Sequence, residues 1–302
     1  ALNKYSSSFE KIKPDIILLL GDRYEIFAAA ISASISNIPI FHCHGGESTY
    51  GSYDEYFRHC ITKLSNVHFV STDNYRKRVI QLGENPKNVY KVGGLGIENI
   101  NKLKLLDKVK LKKLFSIDFK IKTFLITYHP VTLEPGQSKK HLKEIFKALD
   151  FFKDCNLIFT ASNSDTLGVN LTKMIKNYIS KRKNAHFFFS LGQLKYLSVM
   201  KNSDIIIGNS SSGIIEAPSF RIPSINIGSR QLGRDKAVSV IDCIPIKDAI
   251  IKSIKKAFSE KFIKKINKCI NPYDSGNSSK KILKILEKFD NKVINHNFFD
   301  VK

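Results

Sequence analysis

The sequence predicts an α/β protein wound as two parallel sheets, and three observations carry that prediction. Short β-branched and apolar runs alternate with longer segments of helical period, the pattern of parallel strands joined by crossover helices. The pattern runs once from Pro14 and begins again at Thr123. At 302 residues with 42% hydrophobic composition, the chain is long enough to favour two domains, each with a core of its own.

In chain order, residues 14–20 read as a buried strand, 24–37 as its following helix and 38–42 as the next strand, closed by a glycine turn at Gly45-Gly46. A helix over 53–64, a strand at 68–71, a helix over 73–82 and a strand near 89–92 complete a short first half. The lysine-rich stretch 103–122 reads as the interdomain connection and divides the chain into domains 1–118 and 119–302. The second half continues with a strand at 123–128, a helix at 140–152, a strand at 157–160, a helix at 166–179 and a strand at 186–189. A helix at 194–201, a strand at 204–207, a serine turn, a helix over 212–219 and a strand at 224–227 follow, with helices toward the end. Ligands of open α/β sheets bind at the carboxyl ends of strands, so two facing Rossmann-like sheets would enclose a cleft.

Composition excludes several classes. No run of 18 apolar residues occurs, which argues against a membrane span, and nothing at the start reads as a secretory signal. Five scattered cysteines, never at CxxC spacing, argue for a reducing cytoplasm and against structural zinc. The net charge of +22 is compatible with nucleic acid, acidic headgroups or anionic substrates. Its lysines lie along solvated helices without interleaved aromatics, so a nucleic-acid partner is not expected.

Chemistry concentrates in a few segments. In Ile205-Ile206-Ile207-Gly208-Asn209-Ser210-Ser211-Ser212-Gly213, a strand runs into a helix start lined with hydroxyls, which gathers free backbone N–H groups and the positive end of the helix dipole into an anion site. Capping by Asn209 or Ser210 is the plainer account of the same residues. Glu216, one turn on, is placed to accept ribose hydroxyls, and Arg230 and Arg234 sit on a glycine-punctuated loop suited to a diphosphate. In the first half, Gly21-Asp22-Arg23, His42-Cys43-His44-Gly45-Gly46-Glu47, Tyr53-Asp54-Glu55 and Arg58-His59 bring carboxylates and histidines to strand ends. Proton transfer at unactivated carbon requires such a grouping, with acid and base tuned separately. Metal binding by His42 and His44 is the competing reading; it is set aside on the expectation that the two side chains point to opposite faces, one of them serving only packing. His129 ends the first strand of the second half, and Ser162-Asn163-Ser164-Asp165 closes the next, where it would touch a sugar or cap a helix.

Taken together, Gly21-Asp22-Arg23-Tyr24-Glu25, His44-Gly45-Gly46-Glu47, Arg58-His59-Cys60-Ile61-Thr62-Lys63-Leu64, Tyr128-His129-Pro130-Val131-Thr132, Gly208-Asn209-Ser210-Ser211-Ser212-Gly213 and Gly228-Ser229-Arg230-Gln231 resemble the hydrolysing UDP-N-acetylglucosamine 2-epimerases of sialic-acid and capsule biosynthesis. The resemblance implies the two-domain glycosyltransferase-B fold and a UDP-sugar substrate, with no cofactor and no metal. It implies removal of the C2 proton with departure of UDP from C1 to give a glycal, and addition of water to give N-acetylmannosamine. Carried over by motif, Asp22, Glu47 and Asp54 are acid/base candidates, with His44 or Glu47 standing in for a glutamate that relatives often carry at position 44. His129 and Arg23 would contact sugar or phosphates; Ser210, Ser211, Gly213 and Arg230 the diphosphate; Glu216 the ribose; Asn163 the sugar; and Leu191, by its main chain, uracil. UDP-diacetylbacillosamine is an alternative substrate, and a glycosyltransferase or an inactive UDP-sugar-binding remnant are alternative readings. Family members commonly dimerise, so a homodimer is an expectation. The family usually opens with a strand and a glycine-arginine loop, and the first domain is expected to be incomplete without them.

Overall fold

A computed structural model describes residues 1–50, 52–131, 134, 136–162, 166–289 and 297–301. In chain order the elements are α1 (Leu2–Ile12), β1 (Ile17–Leu20), α2 (Tyr24–Ile35), β2 (Ile40–Cys43), α3 (Asp54–Leu64), β3 (Val67–Val70), α4 (Asp73–Gln81), β4 (Val89–Lys91), α5 (Leu95–Lys102) and α6 (Lys108–Phe115). They continue as β5 (Thr123–Thr127), α7 (Gln137–Leu149), β6 (Asn156–Thr160), α8 (Thr166–Ile179), β7 (Ala185–Phe188), α9 (Gly192–Lys201), β8 (Ile205–Gly208), α10 (Ser212–Ile215), β9 (Ser224–Ile227), β10 (Val240–Cys243), α11 (Lys247–Ala257), α12 (Glu260–Ile266) and α13 (Ser278–Leu286).

The chain divides into two compact units: Ala1–Glu98 with Gly233–Asp235 and Pro272–Lys302, and Asn99–Leu232 with Lys236–Asn271. The first holds a parallel sheet in the order β1-β2-β3-β4. Apolar side chains of α2, β2 and α3 (Ala29, Ala33, Ile40, Ile61) fill one core of this unit, and Phe41, Phe69, Val92 and Ile282 fill another. Strand β1 departs from expectation. Only Leu19 is buried, while Leu18 and Leu20, which share one face of β1, are 50% and 55% exposed.

The second unit holds a parallel sheet in the order β10-β9-β8-β5-β6-β7. Residues Thr123–Thr127 and Ile205–Gly208 are buried throughout, as parallel strands covered on both faces must be. The chain winds outward from β5 through β6 and β7, then returns to place β8 on the other side of β5. That reversal makes the carboxyl ends of β5 and β8 a topological switch point, where open α/β sheets leave a crevice. Residues 103–122 are more than a connection: they include α6, and Leu111, Ile117 and Phe119 are buried against Leu125 and Ile158. The helix expected over 212–219 is also shorter. It stops after four residues and gives way to a 3-10 turn at Ala217–Phe220, since Pro218 lacks the N–H that an α-helix would require.

Candidate functional site

Functional side chains of the first unit gather at the carboxyl ends of β1, β2 and β3 around Arg58, which α3 presents inward and which is 1% exposed. A guanidinium has five N–H donors, and each is engaged. Nε donates to Asp22 Oδ2 at 3.0 Å, and Nη2 donates to the same oxygen and to Thr49 Oγ1 at 2.8 Å. Nη1 donates to Glu55 at 2.6 Å and to the Glu47 carbonyl at 2.9 Å. Asp22 is therefore held in place by two N–H groups that converge on one carboxylate oxygen. Glu55 also accepts from Ser48 Oγ, Thr49 N and the His59 ring. Burial opposes its ionisation, but the bonds from His59, Ser48 and Thr49 and the charge of Arg58 outweigh it and bring the carboxyl down to about 2.

Glu47 is 4% exposed, and both of its oxygens are occupied. Oε1 lies 2.8 Å from His44 Nδ1 and accepts from Ser71 Oγ at 3.1 Å, while Oε2 pairs with Arg234. Burial raises its pKa, yet the Arg234 charge, the His44 bond and Arg58 prevail, holding the carboxyl below the usual carboxylate range. Glu47 and Glu55 thus both shift down. Both act as acceptors. His44 Nδ1 is committed to Glu47 and Ser71, while Nε2 has no hydrogen-bond partner among the described residues. His44 also has φ 68°, a left-handed backbone that costs a non-glycine residue about 1–2 kcal/mol.

His42 takes the packing role. It is fully buried, Nε2 is 2.9 Å from the Gly21 carbonyl, and burial lowers its pKa to about 3, so it is neutral. The separation of His42 from His44 has a different cause from the one expected. Strand alternation would put residues i and i+2 on the same face. The strand instead ends at Cys43, and the left-handed turn at His44 sends its ring to other partners. No group of three or more metal-ligating side chains is found among the described residues. Asp54 bonds Ser52 Oγ at 2.7 Å, and it is the next residue, Glu55, that joins the Arg58 cluster. Arg23 is exposed beside Glu25.

In the second unit the switch point brings the two expected motifs together, with Thr127 paired to Gly208. Gly208 has φ 137°, and a Cβ there would lie 1.9 Å from the Thr127 carbonyl oxygen, so only glycine fits. Asn209 is neither a cap nor a ligand. Fully buried, it accepts from His129 N at 2.6 Å and donates to His129 O at 2.9 Å, which fixes that loop. Its own carbonyl accepts from Arg230 Nη1 at 3.0 Å and Gln231 Nε2 at 2.9 Å. Ser210, Ser211 and Ser212 are half-buried; Ser212 bonds Ser210 and the Tyr196 hydroxyl, while Ser211, although it begins α10, makes no side-chain cap.

Gly213 is buried, and a Cβ there would come 2.5 Å from Ser224 Oγ; close packing of α10 on β9 accounts for that glycine. Glu216 marks the junction of α10 and the 3-10 turn. Burial and then the Arg230 charge lower the His129 pKa to about 3, so a neutral ring stands beside a fixed guanidinium. Leu191 is buried at the start of α9. Asn163 lies outside the described residues. The four-residue α10 offers no long helix dipole here, and the polar groups gathered at this turn are the hydroxyls of Ser210, Ser211 and Ser212 and the guanidinium of Arg230. Residues 230 and 234, expected to share one diphosphate, part company: Arg230 fixes Asn209, and Arg234 belongs to the first unit and binds Glu47.

The roles of Arg58, Glu55, Ser71 and Arg234 escaped sequence reasoning. Arg58 stands in a recognisable segment, but its partners Asp22 and Glu47 are 36 and 11 residues away.

A family model described as UDP-N-acetylglucosamine 2-epimerase matches residues 1–287. The polysialic acid biosynthesis protein P7 of Escherichia coli is 41% identical over 289 residues, covering 95% of this chain and 73% of that protein. The GDP/UDP-N,N'-diacetylbacillosamine 2-epimerase (hydrolyzing) of Campylobacter jejuni is 43% identical over 243 residues, covering 80% of this chain and 63% of that protein. Among solved structures, a Neisseria meningitidis UDP-GlcNAc 2-epimerase bound to UDP-GlcNAc superposes with a TM-score of 0.84 at 24% identity, over 95% of this chain and 80% of that one. A Staphylococcus aureus MnaA structure with UDP gives 0.80 at 19% identity, over 99% and 81%. At those identities the structures speak for a shared two-sheet α/β fold.

Proposed function

Because the chain belongs to the UDP-N-acetylglucosamine 2-epimerase family, and is an epimerase by that membership, we propose that it acts on a UDP-linked 2-acetamido sugar by elimination and hydration, with UDP-N-acetylglucosamine as the substrate and N-acetylmannosamine and UDP as products. The observation that carries this reading is that the two units hold dissimilar sites. One unit offers ionised carboxylates and a histidine held in place; the other offers hydroxyls, main chain and an arginine suited to a diphosphate.

In this reading the C2 proton of the sugar passes to the first unit's group, in which Glu47 orients the His44 ring and Asp22 is held in place by Arg58. The electron pair left at C2 forms the C1–C2 double bond as the C1–O bond breaks. Negative charge then grows on the departing UDP, and Ser210, Ser211 and Arg230 stabilise it. Gly213 and Glu216 complete the nucleotide's surroundings, with Leu191 toward uracil; Asn163, Arg23 and His129 are assigned to the sugar and phosphates. Water adds to the glycal with the proton returned to C2 on the opposite face. Asp54 is the remaining acid candidate, half-buried and bonded to Ser52.

One observation favours a second sugar. The chain is 43% and 36% identical to diacetylbacillosamine 2-epimerases of C. jejuni and Legionella pneumophila, against 31% to a UDP-N-acetylglucosamine 2-epimerase of N. meningitidis. UDP-diacetylbacillosamine is accordingly the alternative substrate. Incubation with each UDP-sugar, following UDP and free sugar by NMR, separates the two. Release of UDP with free N-acetylmannosamine supports the first reading and release only from the diacetyl sugar the second. Turnover that depends on an added acceptor sugar would instead identify a glycosyltransferase.

A further inference from the structure

We propose that Arg234 is a positioning residue for Glu47, and that the three-residue segment Gly233–Asp235 is built to hold it there. The inference rests on the reading above for its catalytic meaning, but its geometry stands alone. Asp235 is fixed at every polar group it has. Its carboxylate accepts from Thr72 Oγ1 at 2.5 Å and from Asn74 Nδ2 at 2.9 Å. Its N–H donates to the Tyr75 hydroxyl at 3.0 Å, and its carbonyl accepts from the Tyr273 hydroxyl at 3.0 Å.

The two tyrosine hydroxyls are 2.7 Å apart, and both side chains are fully buried. Since Tyr273 donates to the carbonyl, Tyr75 donates to Tyr273, and a closed ring of hydrogen bonds runs from the Asp235 N–H back to its own C=O. Gly233, at φ 85°, lets this segment approach to where a Cβ would be 2.9 Å from Ser48 Cβ. The residue between these two anchors is Arg234, 8% exposed in its side chain, with Nη1 on Glu47 Oε2 and Nη2 3.5 Å from Thr49 Oγ1.

A buried carboxylate stripped of its cation either takes up a proton or moves. Glu47 is faced by His44 from the end of β2, Ser71 from the end of β3, Arg58 from α3, Tyr75 from α4 and Tyr273 from the segment before α13. Only Arg234 and Arg58 among them are permanent cations, and Arg58 bonds the Glu47 main chain rather than its carboxylate. Arg234 therefore sets both the charge and the orientation of Glu47, and through Glu47 the orientation of the His44 ring.

The test uses the full chain with 13C-labelled glutamate, comparing Glu47 titration in wild type, Arg234→Met, Arg234→Lys and Asp235→Ala. The expected result is an upward move of the Glu47 midpoint by about 1–3 units in Arg234→Met. A smaller move in Arg234→Lys and an intermediate one in Asp235→Ala should accompany it. With a UDP-sugar that the wild type consumes, the acid limb of kcat/KM should move up in the same order while UDP affinity stays within about twofold. A folded Arg234→Met with unchanged Glu47 titration would overturn the proposal; if that variant does not fold, unchanged titration in Arg234→Lys and Asp235→Ala does so. The titration needs no substrate, so failure of the wild type to consume any UDP-sugar would count against the epimerase reading alone.

Discussion

The two candidate regions solve opposite problems with opposite means. In the first unit, ionised side chains are taken out of water, and every donor of Arg58 and both oxygens of Glu47 are committed to protein partners. In the second, small neutral residues and close backbone packing at Gly208 and Gly213 leave hydroxyls and main chain around Ser210 and Ser211. The first region is organised to keep particular charges in particular places. The second gathers neutral hydroxyls beside a single guanidinium, Arg230, which is the kind of surface the proposed diphosphate would need. A reaction that moves a proton at one atom while a diphosphate leaves the next needs both kinds of surface.

Substitutions should break the two regions by different routes. Arg58→Met empties a buried site and leaves the half-buried Asp22 and Glu55 without their cation, and should cost about 3–5 kcal/mol of stability, read by denaturant unfolding. Its counterpart in the second region is a matter of shape. Gly208→Ala drives a Cβ into the Thr127 carbonyl and should cost at least about 4 kcal/mol, seen as loss of the cooperative transition of that unit. Asp22→Asn and Glu47→Gln should lower turnover by about 10²–10⁴-fold with UDP affinity nearly unchanged. Full activity in Asp22→Asn would remove it from the acid/base group.

Arg230→Ala and Ser211→Ala should do the reverse and weaken UDP, Arg230→Ala by about 1.5–3 kcal/mol and Ser211→Ala by about 0.5–1.5 kcal/mol, measured by calorimetry. Both regions also respond to pH. His42 and His129 have folded pKa values of about 3, below the ordinary value of 6.5, so the stability tied to their neutral forms is complete above 6.5 and is lost as pH falls toward 3. Glu55, lowered from 4.5 to about 2, adds a further loss confined to that lower window. Urea titrations across pH 2–8 should show a gentle decline below about 6.5 that steepens below about 4.5. Replacing His42 by Gln should flatten its upper part.

Elements with a strong local signal were legible in the sequence. The run Thr123–Thr127 and the helix Thr166–Ile179 stand nearly where periodicity puts them, because a strand buried on both faces and a long amphipathic helix leave unmistakable spacing. The exposure of Leu18 and Leu20 was not legible, since what covers a strand's face is not encoded in any local pattern. The end of α10 was visible in Pro218 but was overridden by the apolar spacing around it. The clustering of reactive side chains after strands, as with Asp22, His44 and Glu47, was legible. Their partners were not. Arg58 holds Asp22, and Arg234, which holds Glu47, lies 187 residues from its carboxylate. A loop arginine in sequence looks the same whether it meets phosphate or a buried glutamate.

The central claim is that the proton at C2 and the diphosphate at C1 are removed in one elimination, with the first region handling the proton and the second the diphosphate. Turnover of the UDP-sugar in deuterium oxide tests it most directly, with the released sugar examined by NMR and mass spectrometry. The account predicts one solvent deuterium at C2 of each free sugar released with UDP. Release of UDP with the C2 hydrogen retained would contradict it.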